Sequence, residues 1–203
     1  PTFDEYHNYN RVYSQQPIFN RTTANPFTFE ERLVFDNRFN ATKTKVNGEI
    51  VDSWTDVLVN EEIYVDGKYG PVNKVIQNND IVYFIQEQAV GILEVEPRVQ
   101  TVATDGVSVE LGRGRVLYNY RYINTNTGSV NPEAIFKSQN AVYFIDVMNK
   151  SINKIQGADV IGLTDIHGLH SLMYNNLDYN TLKYSNSVNG CFDQVTNEAY
   201  FTI

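Results

Sequence analysis

From Leu33 onward the apolar and polar positions follow a β pattern: short β-branched and aromatic runs broken by Asn, Asp and Gly. Asn47-Gly48 lies between Thr42–Val46 and Glu49–Trp54, and Asp105-Gly106 lies between Thr101–Thr104 and Val107–Leu111. Both dipeptides supply the positive φ angles of a two-residue hairpin turn, and both are flanked by β-branched residues. Asp66-Gly67, after Ile63–Val65, is expected to be a third turn of that type. A helical period occurs over Asp165–Leu177, where Ile166, Leu169, Leu172 and Met173 fall on one face, so one short helix is predicted there. Residues 1–30 show neither period. They carry Phe3, Tyr6, Tyr9, Tyr13, Phe19, Phe27 and Phe29, more aromatics than a solvated tail keeps, and are expected to form an extended arm laid against other protein.

An internal repeat organises the remainder. Val72-Asn73, Val130-Asn131 and Val188-Asn189 recur at spacings of 58 and 58. Each precedes a polar turn and then an aromatic strand: Val82-Tyr83-Phe84-Ile85, Val142-Tyr143-Phe144-Ile145 and Ala199-Tyr200-Phe201-Thr202. Residues 75–85, VIQNNDIVYFI, match residues 135–145, IFKSQNAVYFI, with Asp80, Asn140 and Asn197 in the same turn. Tyr83-Phe84, Tyr143-Phe144 and Tyr200-Phe201 are therefore the candidate repeat cores, one aromatic of each pair facing into its module. A unit of this kind cannot close its own core and must stack on neighbours. The fold class predicted is mainly β: antiparallel sheets as propeller-like blades over residues 31–203, one short helix and the arm of residues 1–30. The third copy stops inside its aromatic strand, an open edge that soluble proteins avoid, so the chain is expected to be completed by additional protein.

Composition narrows the function. Aromatics make up 13% and Asn 24 of 203 residues, which suits strands joined by turns. The net charge of −8 argues against a sequence-independent grip on nucleic acid phosphates. No apolar run approaches the roughly 18 residues of a membrane span. Cys191, the single cysteine, cannot form an internal disulfide and is expected to be a small buried thiol. His167 and His170 could share a metal with Asp165, but a zinc site needs a further ligand, His7 offers none nearby, and ordinary surface or packing histidines are the better expectation. Gly112-Arg113-Gly114-Arg115 lacks the lysine and hydroxyl of a phosphate loop and precedes a strand-like run, so it reads as a tight turn. The carboxylate pairs Asp4-Glu5, Glu30-Glu31 and Glu61-Glu62 are sequence neighbours that point to opposite strand faces, not acid/base dyads. Asn20, Asn40 and Asn149 head glycosylation triplets that matter only in a secreted eukaryotic protein. Tyr118, Tyr120 and Tyr122 share one strand face and form a candidate glycan platform or partner-facing ladder. No catalytic, cofactor-binding or metal-binding residues are assigned, and a non-enzyme is expected.

Four segments carry a family resemblance: FDNRFNATKTKVNGEIVDSWTDVLVNEEIYVDGKYGPVNKVIQNNDIVYFIQEQAVGILEV (35–95), VELGRGRVLYNYRYI (109–123), GSVNPEAIFKSQNAVYFIDVMNKSINKI (128–155) and NGCFDQVTNEAYFTI (189–203). Their cadence resembles the large muzzle proteins of crAss-like podoviral bacteriophages. Those proteins are much longer than this chain. The resemblance implies a virion structural protein, a segment of the outer tube at the distal tail. Nozzle proteins of similar role assemble as a ring, usually of six copies. The partners implied are other segments of a larger tail protein, neighbouring copies in such a ring and other tail proteins. The acidic balance would suit a channel from which DNA slides out. A glycan-binding propeller module using the Tyr118, Tyr120 and Tyr122 face is the alternative.

Overall fold

The computed structural model describes residues 19–21, 35–43, 55–95, 99–102, 108–111, 116–183, 185 and 187–203. The arm of residues 1–30 lies outside them except for a short strand, as do Asn47-Gly48, Asp105-Gly106, the Gly112–Arg115 run, His7 and the pairs Asp4-Glu5 and Glu30-Glu31. The strands are β1 (Phe19–Arg21), β2 (Arg38–Thr42), β3 (Asp56–Tyr64), β4 (Val72–Asn78), β5 (Ile81–Gln86), β6 (Val90–Val95), β7 (Val99–Val102), β8 (Ser108–Leu111), β9 (Leu117–Asn124), β10 (Phe136–Lys137), β11 (Val142–Asp146), β12 (Ser151–Gln156), β13 (Asp159–Gly162), β14 (Asn189–Asp193) and β15 (Glu198–Thr202). The chain divides into two units: residues up to Val65 together with Val95–Asn119, and Asp66–Glu94 together with Tyr120–Ile203.

In the first unit β1, β3 and β2 form an antiparallel sheet in that order. β2 shifts register between Asn40 and Thr42, a bulge that lets Lys43 reach Asp56 at 3.6 Å. Asn37 closes the end of the sheet, its side-chain amide donating to the Val65 carbonyl at 3.0 Å. β7 and β8 pair as a separate antiparallel hairpin.

The second unit holds a four-stranded sheet of order β4-β5-β6-β9, called here the β5 sheet. It also holds the β11 sheet, of order β10-β11-β12-β13, and the β14–β15 hairpin. β4-β5-β6 and β10-β11-β12-β13 each run as an antiparallel meander. Their turns follow from local chemistry. Asn78 pairs with Ile81, which leaves the two-residue turn Asn79-Asp80, and Asn79 takes the left-handed φ of 49° that Asn tolerates. Gly157 does the same at φ 62° between β12 and β13. In the β14–β15 turn Asn197 sits at φ 58°, while the Asp193 carboxylate accepts from the Val195 amide at 2.8 Å.

Alternation along the strands builds two cores. Tyr83, Ile85, Val90 and Ile92 from one face of the β5 sheet meet Ile135, Val142, Phe144 and Ile155 from one face of the β11 sheet. Ile145 and Ile152, on the opposite face of the β11 sheet, join Val130, Met173, Leu177 and Val188, with Phe201 packed against them. The β11 sheet is thus apolar on both faces, as a layer with neighbours on each side must be.

Two local expectations are corrected. Asp66-Gly67 is not a two-residue hairpin turn. Asp66 caps a 3-10 turn over Gly67–Tyr69, its carboxylate accepting from the Lys68 amide at 3.0 Å. In place of one helix over residues 165–177 there are two short ones, Leu163–His167 and His170–Asn176, and a third follows at Tyr179–Leu182. Gly168, at φ 65°, adopts the left-handed conformation that ends the first helix, and the helical phase restarts after it. Met173 and Leu177 become the buried pair, whereas Ile166 and Leu172 are exposed. The restarted phase sets an expected outcome. Met173→Ala should lower stability by about 2–5 kcal/mol in denaturant titration. Leu172→Ala should stay within about 0.5 kcal/mol. Equal losses would contradict the phasing described here.

Candidate functional site

The polar side chains converge on the seams between the sheets of the second unit. Asn73, at the start of β4, donates its side-chain amide to the Ser129 carbonyl at 2.7 Å. Asn131, its counterpart in the next repeat, donates to the carbonyls of Leu182 and Ser185, each at 2.8 Å. Asn73 and Asn131 therefore both grip the chain that leads into the following Val-Asn pair. The spacing of 58 made these residues visible in sequence, but not their role as clasps.

Lysines reinforce the first seam. Lys74 donates from Nζ to the carbonyls of Pro132 at 2.7 Å and Ile135 at 2.9 Å, while Lys137 on β10 donates to the Gln77 carbonyl on β4 at 3.1 Å. The Tyr83 hydroxyl reaches the Gly157 carbonyl, in the β12–β13 turn of the neighbouring sheet, at 2.8 Å. Backbone carbonyls recur as the acceptors, so the clasps depend on fold geometry more than on the partner's side chain.

Gln86 and Asp146 end β5 and β11 at matching repeat positions, and both are buried. The Gln86 side-chain amide donates to the carbonyls of Gly70 at 2.7 Å and Asp66 at 3.1 Å. Its Oε1 accepts from the Tyr122 hydroxyl at 2.8 Å. Burial pushes that hydroxyl's pKa up to about 12, so Tyr122 stays a neutral donor. Asp146 accepts from the Asn149 amide at 2.9 Å, the Asn149 side chain at 2.7 Å and the Gly128 amide at 3.2 Å. Burial raises its carboxyl above the ordinary value of 3.8, against the pull of the Asn149 and Gly128 donors. Between these two residues runs the linker Gly128–Asn131. The Ser129 amide donates to the Gln86 carbonyl at 2.9 Å and its hydroxyl to the Ile145 carbonyl at 2.7 Å. A Cβ on Gly128 would lie 2.3 Å from the Gln86 carbonyl oxygen, so the close approach requires glycine.

The predicted repeat cores differ in surroundings. Tyr83 and Phe84 are both buried, as is Phe144. Tyr143 is half-buried and stacked on Phe136 at 5.6 Å. Phe201 is half-buried against Phe136 at 5.0 Å, and Tyr200 is 49% exposed. Tyr120 and Tyr122 meet each other at 5.7 Å and Phe84 at 6.1 and 5.5 Å, all edge to face. These rings are engaged in packing within the second unit, whereas Tyr118, in the first unit, is exposed.

The other candidate residues are His170, Asp165, Cys191, Glu61 and Glu62. His170 pairs with Asp165 at 3.1 Å on the surface, both well exposed, and no group of three His, Cys, Asp or Glu side chains converges among the described residues. Cys191 is exposed, not buried as expected, because it lies on the face of β14 turned away from Phe136 and Phe201. Glu61 and Glu62 do point to opposite faces of β3, but Glu61, 1% exposed, has a role that sequence reasoning missed. Its carboxylate accepts from the amides of Val116 at 2.9 Å and Leu117 at 3.0 Å. No residue-level signal in a strand of alternating type marks such an acceptor beforehand.

A sequence model of the Crassvirus muzzle protein family matches residues 2–203. The chain is 27% identical over 199 residues to the muzzle protein of Bacteroides phage crAss001, an alignment that covers 96% of this chain. The chain spans 14% of the length of that relative.

The buried Asp146 carboxyl generates a pH test. Between 3.8 and its raised folded value, the folded chain holds a proton that the unfolded chain has released. This group therefore adds stability as pH falls through that window and withdraws it as pH rises. The denaturation midpoint of the unsubstituted protein should rise relative to that of Asp146→Asn as pH is lowered from neutrality into the window. A difference that stays flat with pH would contradict the assignment.

Proposed function

The chain belongs to the Crassvirus muzzle protein family, a component of the phage virion tail, and from that premise we propose that it works mechanically, as part of the wall of the distal tail tube through which DNA leaves. The observation that carries this reading is the disposition of the second unit's polar groups. Asn73, Lys74 and Lys137 donate to backbone carbonyls between the β5 sheet and the chain around β10, and Asn131 to carbonyls of the last helix and the loop after it, an arrangement that fastens consecutive layers of the chain together. Side chains arranged for chemistry would instead converge on one another around a substrate. The stacked meanders act as propeller-like blades, and their number is completed by other parts of the muzzle polypeptide or by neighbouring copies in a ring of six. The edge of β15 opposite β14 takes an added strand, a common mode of recognition between β proteins.

Charge fits this role. At −8 the chain repels phosphates at short range, so a channel lined by its acidic side chains would not hold the genome as it passes. In this reading the chain is not an enzyme, and the engagement of Tyr120 and Tyr122 in packing speaks against the glycan-platform alternative.

An electron-microscopy map of the virion tests the proposal. The expected result places this segment in the tube at the distal end of the tail, in a ring, with Asp and Glu prevailing on its channel surface. Location in the capsid, or a channel surface dominated by Arg and Lys, would overturn it.

A further inference from the structure

The two seams of the second unit have one polarity. The β5 sheet turns its Tyr83 and Ile85 face toward the β11 sheet, which answers with Phe144. The β11 sheet turns its opposite face, bearing Phe136, Tyr143 and Ile145, toward the β14–β15 hairpin, which answers with Phe201. In repeat terms, the Tyr side of one layer receives the Phe side of the next. Gly190 makes the second contact possible, since a Cβ there would sit 2.2 Å from the Phe136 ring.

The hairpin's own Tyr side lacks this cover among the described residues. Tyr200 and Cys191 are direct cross-strand partners, so they share a face, and both are exposed. Tyr83, at the same repeat position, is only 3% exposed beneath the β11 sheet. Its hydroxyl bonds a turn carbonyl of the sheet in front, whereas the Tyr200 hydroxyl turns along its own strand to the Glu198 carboxylate.

We propose that the Tyr200–Cys191 face is the seat of a further antiparallel sheet of the same repeat, supplied by a stretch of muzzle polypeptide outside these 203 residues. The face continues a series of two established interfaces, and that continuity defines the occupant. It presents a Phe where Phe144 and Phe201 stand in the layers already seen, and a β-turn carbonyl within reach of the Tyr200 hydroxyl. This inference deepens the proposed assembly role and rests on it. It differs from strand addition at the β15 edge, because stacking covers the face and leaves the edge's hydrogen bonds untouched.

Cys191 is a native probe of that face. In the isolated chain it should react readily with maleimide, and in the intact virion its labelling should slow on the order of tenfold or more. A photoreactive phenylalanine analogue in place of Tyr200 should cross-link, in the virion, to muzzle polypeptide outside this segment. Undiminished labelling in the virion, or cross-links to residues 1–203 of another copy or to a different virion protein, would overturn the inference. Tyr200→Ala should leave the stability of the isolated chain unchanged while lowering its incorporation into particles. Unimpaired incorporation of Tyr200→Ala would also count against it. If microscopy places the segment outside the tail, the assembly reading itself fails. If the segment lies in the tail but Cys191 stays reactive, only the stacking inference fails.

Discussion

Contact of Phe144 with the Tyr83 and Ile85 face ties the β5 and β11 sheets into one core. An antiparallel sheet with water on one side needs apolar residues only at alternate positions. β11 departs from that economy: Val142 and Phe144 are buried on one face and Ile145 on the other. With apolar side chains on both faces, the layer is stable only between two neighbours. The directional stacking, the glycine under Phe136 and the helices over Ile145 are all ways of supplying the second neighbour.

Polar groups drawn into such seams lose water, and an unpaired one would cost more than a made hydrogen bond returns. The structure answers with backbone carbonyls as acceptors. The Asn131 Nδ2 spans two of them, while its buried Oδ1 has no hydrogen-bond partner among the described residues, and Lys74 spans two others. Asp146 is the demanding case, because a carboxylate brings charge as well as polarity into the interior. Three donors from Asn149 and Gly128 surround it, yet burial still prevails and its proton affinity rises. Gln86, at the same position in the preceding repeat, meets the same need without charge.

Strand type was legible because it rests on periodicity, which survives without knowledge of neighbours. The VYFI runs could be read as buried strands, and Asn79-Asp80 and Asn197 as turns, from residues close in sequence. What was not legible depends on phase or on distant partners. Gly168 resets the helical phase by one conformational choice, and a face counted across it puts Ile166 and Leu172 inward when they lie outward. The acceptor role of Glu61 requires Val116 and Leu117, 55 and 56 residues away, and nothing in the local pattern of β3 announces them. Tyr118, Tyr120 and Tyr122 alternate as a ladder should, but alternation does not say what fills the face. Phe84 does so for Tyr120 and Tyr122.

A wall made of layers joined by repeated seams distributes load in a particular way. Each layer contacts only its neighbours, so stability is roughly a sum of layer and interface contributions, and damage at one seam stays local. The seams here combine a non-directional core, which tolerates small sliding, with backbone-directed clasps that fix register. The clasps read position instead of side-chain identity, so neighbouring layers can diverge in sequence while the seam persists. The second sheet shows this divergence directly: Gln86 gives way to Asp146 and the turn Asn79-Asp80 to Gln139-Asn140, yet the clasp at the Asn of the Val-Asn pair is kept. For a structural component of a phage tail, tolerance of sequence change with retention of register is the property that matters.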